Sequence, residues 1–182
     1  LGPERAQNMV LAALPEAVIG KGHVQSWVVG SGVPHADADG AGTDMQRETI
    51  AALLKHYDAS AEDDAGNAYD MPPIVVDAGA LDLLPERVPG QVVITPHAGE
   101  MAKLLNRLEA RQDAAEHAEP REPYTVDDVQ IHLLACALRA HELTGATVLL
   151  KGAVTIVVDE DHVYASGSAP AGRPAARRID VV

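Results

Sequence analysis

A histidine and a glutamate lie between a predicted strand and a predicted helix. Residues 92–95 are apolar and extended in pattern, residues 101–108 repeat Met and Leu at helical spacing, and His97 and Glu100 stand between the two runs. A simple connection requires neither side chain. Both can exchange hydrogen bonds with a ligand, and ligands bind at the carboxyl ends of the strands in open parallel sheets. We therefore predict that His97 and Glu100 face a binding site.

Three further predicted strands end in small residues next to polar or charged ones. The segments are Gly30-Ser31-Gly32, Asp77-Ala78-Gly79 and Lys151-Gly152-Ala153. Small residues let a ligand approach the backbone closely. Because the carboxyl ends of parallel strands share one edge of a sheet, we expect these segments to converge on a single ligand site.

Each of these segments also has a purely structural explanation. The Gly30 and Lys151 segments can be turns, Asp77 can cap a helix over residues 78–84, and Glu100 can complement a helix N-terminus. His97 can be a partly buried core histidine, which is favoured over a metal ligand because no second His or Cys lies at ligand spacing. The remaining histidines and the single cysteine are interpreted as surface or packing residues: His23, His35, His56, His117, His132, His141, His162 and Cys136.

Apolar patterns along the chain predict strands that alternate with helices. Strands are expected within 24–30, 73–81 and 91–95, in two runs of 147–158 about the Lys-Gly-Ala turn, and at 162–166. Helices are expected at 3–13, from Thr43 with Gln46 in a capping box, at 99–109, and from Thr125 to 145, with loops at 58–73 and 110–123.

This alternation predicts an α/β fold. We expect a three-layer sandwich on a mostly parallel sheet, with strands buried on both faces. Residues 1–166 are expected to form one domain. Residues 167–182, which are rich in Pro, Arg and Ala, are expected to be an atypical tail.

Composition and charge exclude several partners. The chain has 182 residues, 47% of them hydrophobic, and a formal charge of −13. Nucleic acids and anionic membranes attract surfaces rich in Lys and Arg, so neither is an expected partner of this acidic chain. One cysteine, no long apolar run and no signal-peptide pattern predict a cytoplasmic location.

The order of three motifs resembles a known enzyme family. The sequences VVDAGALDLL, VITPHAGEMAKLL and VLLKGAVTIV follow one another as in the ADP/ATP-dependent NAD(P)H-hydrate dehydratases, a carbohydrate-kinase-like family with a ribokinase-type fold. The resemblance runs from about Val28 to Ser166. It implies a lyase that repairs NADHX and NADPHX, the hydrated cofactors: a nucleotide phosphorylates the ring hydroxyl, and phosphate is then eliminated. Bacterial members characteristically use ADP and release AMP, and they require Mg²⁺.

The resemblance also implies roles for particular residues. Gly32 and His97 would contact the hydrated cofactor. Asp77 and Glu100 would order the site or the water shell of the metal, and no residue is assigned as a direct metal ligand. The segment that would hold AMP comprises Lys151, Gly152, Ala153, Val154 and Thr155.

The sequence departs from the family pattern near both ends. The family's Gly-x-Gly-Asp motif, whose Asp is the catalytic base, is replaced by Ala-Arg-Arg-Ile-Asp, so Asp180 is only a weak counterpart. Two alternatives therefore stay open: a partial nucleotide-binding module without turnover, and a kinase of the thiazole or hydroxymethylpyrimidine type. Because an incomplete sheet exposes an edge and an apolar face, we also expect a homo-oligomer or marginal folding.

Overall fold

The computed structural model describes residues 4–16, 23–38, 45–60, 65–117, 119, 121–167 and 175–179. Its described strands form one sheet in the order β1 to β7. The strands are Trp27–Val29 (β1), Ile74–Val76 (β2), Val92–Ile94 (β3), Thr147–Leu150 (β4), Val154–Val158 (β5), Val163–Gly167 (β6) and Ala175–Ile179 (β7). Strands β1 to β4 pair in parallel, and β4 to β7 pair antiparallel.

The helices follow the strands in the alternating order expected of an α/β protein. They are Glu4–Ala13 (α1), Met45–Leu54 (α2), Ala65–Tyr69 (α3), Ala98–Glu116 (α4), Val126–Ile131 (α5) and Leu133–Thr144 (α6), with 3-10 helices at Lys55–Tyr57 and Ala78–Leu83. The predicted α/β fold is confirmed. None of the helices in the described ranges combines the length and apolar character needed to cross a membrane.

The hydrophobic core lies on one face of the sheet. Alternate strand residues are fully buried there: Ile74, Val76, Val92, Ile94, Val148, Leu150 and Val158. Helices α4 and α6 contact each other, and α6 contacts β4 and β5. The Met and Leu residues that predicted α4 supply its buried stripe, namely Met101, Leu104, Leu105 and Leu108. Burial of this stripe against the Val- and Ile-rich strands is the main source of stability.

The opposite face of the sheet is less well covered. Val28, Val75 and Val93 are neighbours in one row across β1 to β3. Val28 is 74% exposed, and the other two are partly buried. The expectation that the strands are buried on both faces is therefore wrong for β1 in the described part of the chain.

Helix α4 continues through Glu116, so the prediction of a loop at 110–123 is wrong for its first half. Glu109 and Asp113 are charged, yet both are buried on this helix. Glu109 pairs with Arg139, and Asp113 pairs with Arg121. Because these buried ion pairs are made of charged residues, the sequence of this part of the helix resembles that of a solvent-exposed segment. The helix ends at His117, which has a left-handed backbone with φ 54°.

Other predicted elements are shifted or divided. The helix expected from Thr125 to 145 is broken at His132 (φ −118°, ψ 41°) into α5 and α6. The loop expected at 58–73 contains α3. Thr43 lies outside the described residues, and α2 begins at Met45. Part of the expected tail, residues 175–179, pairs with β6 as strand β7.

Candidate functional site at the sheet edge

The carboxyl ends of the parallel strands are joined by backbone hydrogen bonds. Asp77 N–H donates to the carbonyl of Val29 at 3.0 Å, and Thr95 N–H donates to the carbonyl of Val76 at 3.1 Å. Lys151 N–H donates to the carbonyl of Pro96 at 2.8 Å, and His97 and Lys151 form a parallel bridge. The structure thus brings the ends of β2, β3 and β4 to one edge.

Lys151 is the cation of this edge. Its Nζ donates to Asp77 Oδ1 at 2.7 Å and lies 4.0 Å from Glu100 Oε2. Burial opposes the ionisation of Asp77, but hydrogen bonds from Lys151, Thr95 and the Ala78 N–H outweigh it, so the pKa of Asp77 lies below its ordinary value. The lysine side chain is 41% exposed. It therefore has both a fixed counter-ion and access to a ligand.

His97 begins helix α4 as its N-cap. Its Nδ1 accepts hydrogen bonds from the N–H groups of Gly99 at 3.0 Å and Glu100 at 3.3 Å, and Glu100 Oε2 accepts from the His97 N–H at 2.8 Å. This is a capping box with histidine in the place usually taken by Ser or Thr. The alternative that Glu100 complements a helix N-terminus is confirmed.

The cap fixes the tautomer of the His97 ring. A nitrogen that accepts two N–H bonds carries no proton, so in the neutral ring the proton is on Nε2. Nε2 faces Glu100 Oε1 at 3.4 Å, and the side chain is 60% exposed. The alternative of a partly buried core histidine is therefore wrong, and His97 presents a hydrogen-bond donor to solvent or ligand.

Two glycines allow the strand ends to approach closely. Gly30 has φ +110°, and a Cβ there would lie 1.8 Å from the Asp77 carbonyl oxygen. A Cβ at Gly79 would lie 2.3 Å from the Val33 carbonyl oxygen. Residues 31–38, which we call the β1 loop, therefore press against the 3-10 helix Ala78–Leu83. Ala78 itself has φ 47°, an uncommon conformation for a residue with a side chain.

The β1 loop brings a further histidine to this edge, one whose sequence context predicted only a surface or packing role. His35 Nδ1 lies 3.2 Å from Asp82 Oδ2, and Nε2 lies 3.9 Å from Glu100 Oε1. The side chain is 30% exposed. The partly buried His35 is compatible with that interpretation, but the loop also folds back over the 3-10 helix and brings the ring near Asp82 and Glu100. Its position three residues after the Gly30-Ser31-Gly32 segment was the available signal.

A cavity of about 690 Å³ opens beside His97 and Lys151. Its lining comes from the start of α4, from α5 and α6, and from the turn after β4: His97, Ala98, Gly99, Val126, Gln130, Leu133, Lys151, Gly152, Ala153 and Val154. The contributions of Val126, Gln130 and Leu133 were not predicted, because they depend on how the broken helix packs.

Four of the predicted site residues in the described ranges do not line this cavity: Gly32, Asp77, Glu100 and Thr155. Gly32 is exposed on the β1 loop, with open space around its Cα. Thr155 is partly buried within β5. Asp180 lies outside the described residues.

The described residues do not fit a direct magnesium site. Nowhere in the described ranges are three His, Cys, Asp or Glu side chains grouped so that they could hold a metal ion. Lys151 occupies Asp77 Oδ1, and the His97 N–H occupies Glu100 Oε2. Among the described residues, the side chains at this edge are a lysine, the three carboxylates of Asp77, Asp82 and Glu100, and two histidines.

The fold and the site together define a class of protein. An α/β sheet whose parallel strands end beside a lysine and a cavity has the arrangement in which open α/β proteins bind small-molecule ligands. A family model described as NAD(P)H-hydrate dehydratase matches residues 13–177, and the chain belongs to this family.

Individual relatives agree with that assignment. The bifunctional NAD(P)H-hydrate repair enzyme Nnr of Mycobacterium tuberculosis is 35% identical over 165 residues, covering 85% of this chain and 26% of the relative. The ADP-dependent (S)-NAD(P)H-hydrate dehydratase of Neisseria meningitidis serogroup B is 27% identical over 189 residues, covering 95% of this chain and 52% of the relative. The chain thus spans about a quarter and about half of these two relatives.

A solved structure shares the fold. The structure of Bacillus subtilis YxkO superposes with a TM-score of 0.51 at 19% identity, covering 87% of this chain and 50% of that one. A ribokinase-like superfamily protein of Enterococcus faecalis V583 gives a TM-score of 0.47 at 17% identity, covering 80% of this chain and 40% of that one.

Proposed function

We propose that this chain catalyses the nucleotide-dependent dehydration of NADHX and NADPHX to NADH and NADPH, using ADP and releasing AMP and phosphate. The observation that carries the proposal is the Lys151–Asp77 ion pair beside Glu100 and His97 at the mouth of the cavity. Family membership supports it, as does the ADP dependence in the name of the Neisseria relative.

The nucleotide would bind at the turn between β4 and β5. Lys151 supplies a positive charge for the phosphates, and the exposed residues Gly152 and Ala153 follow it in the turn. Val154 lines the same cavity, and Thr155 follows in the strand. Asp77 and Glu100 hold the lysine in place, so the charge that phosphoryl transfer needs is oriented before the ligand arrives.

The hydrated cofactor would bind next to the nucleotide, near His97 and Gly32. The Nε2–H of His97 donates a hydrogen bond to it without requiring a charged ring. The ring hydroxyl attacks the terminal phosphorus of ADP and loses its proton to water, and AMP leaves with the electrons of the broken P–O bond. Phosphate then leaves with the C–O electron pair and the ring loses a proton, which restores the reduced nicotinamide.

Magnesium and association are further parts of the proposal. Because the described residues do not fit a direct metal site, the Mg²⁺ that the family resemblance implies is assigned to phosphate oxygens and water. The exposed Val28 row supports association between copies of the chain. The single buried cysteine supports a reducing, cytoplasmic setting.

The test is recovery of NADH from NADHX. The protein is incubated with NADHX, ADP and Mg²⁺, and absorbance is followed at the reduced-nicotinamide band while AMP and phosphate are quantified. We expect one AMP and one phosphate per NADH, and no recovery without ADP. Binding of ADP without any recovery of NADH would overturn the proposed reaction and favour a nucleotide-binding module.

A further inference from the structure

We propose that His35 is an additional substrate-binding residue, whose Nε2 accepts a hydrogen bond from a hydroxyl group of the hydrated dinucleotide. The inference rests on the proposed function for the identity of the substrate. It starts from the position of the ring between Asp82 and Glu100, with Nδ1 3.2 Å from Asp82 Oδ2 and Nε2 3.9 Å from Glu100 Oε1.

Asp82 determines which nitrogen of His35 carries the proton. A carboxylate oxygen accepts hydrogen bonds and donates none, so Nδ1 is the protonated nitrogen and donates to Asp82 Oδ2. The same oxygen accepts from the Ala36 N–H at 2.8 Å, which holds it in place. In the neutral ring, Nε2 is therefore a lone-pair acceptor. At 3.9 Å from Glu100 it has no hydrogen-bond partner among the described residues.

His35 and His97 consequently offer complementary hydrogen-bonding groups near one atom, Oε1 of Glu100. Both Nε2 atoms face Oε1 of Glu100, at 3.9 and 3.4 Å. His97 offers a donor because its Nδ1 caps helix α4, and His35 offers an acceptor because its Nδ1 donates to Asp82. A hydroxyl group both donates and accepts, so it matches this pair. A fully ionised phosphate only accepts and would leave His35 Nε2 unused.

Anchoring of the β1 loop does not depend on the His35 ring. Arg47 Nη1 donates to the Pro34 carbonyl at 2.8 Å, and Lys103 Nζ donates to Asp37 Oδ2 at 2.9 Å. With the Ala36 N–H bond to Asp82, the loop has contacts on both sides of position 35. The His35 side chain is 30% exposed and its Nε2 has no hydrogen-bond partner among the described residues, so it is available for a ligand.

The test compares two substitutions that imitate different ends of the imidazole. His35→Asn keeps a donor near Nδ1 for Asp82 and removes the acceptor at Nε2. His35→Gln is long enough to return an acceptor oxygen near the Nε2 position. The affinities for NADHX without ADP, and for ADP alone, are measured by calorimetry on both variants and the parent, together with the melting temperature.

We expect His35→Asn to weaken NADHX binding about tenfold, the usual effect of one lost hydrogen bond in a partly buried site. Affinity for ADP and the melting temperature should not change, and His35→Gln should recover part of the loss. Equal NADHX affinity in His35→Asn and the parent overturns the inference, as does failure of the parent to bind NADHX. A loss confined to ADP overturns it too, because His35 would then face the nucleotide.

Two further readouts separate the possible failures. Imidazole ¹⁵N shifts report the tautomer without any variant, and a proton on Nε2 of His35 would overturn the inference even if the variants do not fold. Parallel titration with NADH, which lacks the ring hydroxyl, distinguishes a ring from a ribose hydroxyl; either source supports the inference. If the parent turns over NADHX but His35→Asn binds NADHX with unchanged affinity, this inference alone is overturned. If His35→Asn weakens NADHX binding but the parent shows no turnover, the proposed function alone is overturned.

Discussion

Lys151 Nζ lies 2.7 Å from Asp77 Oδ1, although 74 positions of the chain separate the two residues. Strands β2 and β4 flank β3, so the lysine reaches past the end of β3 to the carboxylate. A pair assembled from distant strands needs the whole sheet to be folded, and it places the charge before a ligand binds. Such preorganisation is the main contribution that a protein makes to phosphoryl transfer.

Removing the lysine should weaken nucleotide binding. Because a charge-assisted hydrogen bond contributes about 1.5–3 kcal/mol, we expect Lys151→Met to raise the dissociation constant for ADP about tenfold to a hundredfold in calorimetry. Lys55→Met, at an exposed lysine of the 3-10 helix Lys55–Tyr57, is the matched control and should bind ADP normally. Equal losses in both variants would show that only overall charge matters.

Substitutions of His97 should separate helix capping from ligand binding. Asparagine is a good N-cap and alanine is not, so His97→Ala should lower the free energy of unfolding by about 1 kcal/mol while His97→Asn leaves it nearly unchanged. Both variants lose the Nε2–H and should bind NADHX more weakly. Urea titration measures the first effect and calorimetry the second. Full NADHX affinity in His97→Asn would restrict this histidine to its capping role.

A side chain at position 30 should disrupt the packing between the end of β1 and the backbone of Asp77. An added Cβ would lie 1.8 Å from the Asp77 carbonyl oxygen at a residue with φ +110°. We expect Gly30→Ala to lower the free energy of unfolding by at least about 3 kcal/mol, as measured by urea denaturation. Gly90→Ala, where nothing lies within 4 Å of the new carbon, is the control and should have little effect.

The buried Glu109–Arg139 pair should make stability depend on acid. Arg139 Nε and Nη2 donate to the two oxygens of Glu109 at 2.7 and 2.9 Å. These hydrogen bonds outweigh burial and hold the pKa of Glu109 below its ordinary value. Because the pKa of Glu109 is lower in the folded state, its contribution to the free energy of unfolding is fully present above the unfolded-state pKa of about 4.3. That contribution is lost as the pH falls through the folded-state pKa.

Urea midpoints measured from pH 6 down to pH 3 should therefore fall in the lower part of that range. Within the described ranges, Arg139→Leu leaves the buried Glu109 carboxylate with Arg121 as its one cationic partner, and it should cost about 3 kcal/mol at pH 6. It should also flatten the acid dependence. An unchanged slope in the variant would assign the acid sensitivity to other carboxylates.

The exposed row on the outer face of the sheet should control association. Val28 is 74% exposed on the edge strand β1. Lysine on an edge opposes pairing between sheets, so Val28→Lys should shift sedimentation velocity profiles toward monomer. Ile131→Lys changes an equally exposed apolar residue on α5 and should leave the profile unchanged. A parent chain that sediments as a monomer would contradict the expected homo-oligomer.

The sequence was most informative where local signals coincide with tertiary structure. Runs such as residues 92–94 form strands because β-branched side chains fill the core face, and His97 with Glu100 marks the start of α4 through its own capping chemistry. The strand ends could be placed on one edge because parallel pairing requires it. These features follow from neighbours close in the chain or from a general rule of topology.

The features that were missed depend on contacts between distant segments. Nothing near His35 in sequence indicates that Asp82 will orient its ring, and nothing near Glu109 indicates that Arg139 will pair with it. Both residues resemble solvent-exposed positions until the loop or the facing helix is in place. Gln130 lines the cavity only because the helix breaks at His132.

The parallel bridge between His97 and Lys151 has a consequence for which changes in length the chain can tolerate. Side chains alternate between the faces of a strand, so inserting one residue into β4 would reverse every side chain that follows and direct the lysine away from the carboxylates. Insertions in the segment between the 3-10 helix Lys55–Tyr57 and β2 would leave the bridge unaffected. Gene variants that gain or lose a single codon should therefore keep an intact site when the change lies in that segment and lose it when the change lies in β4.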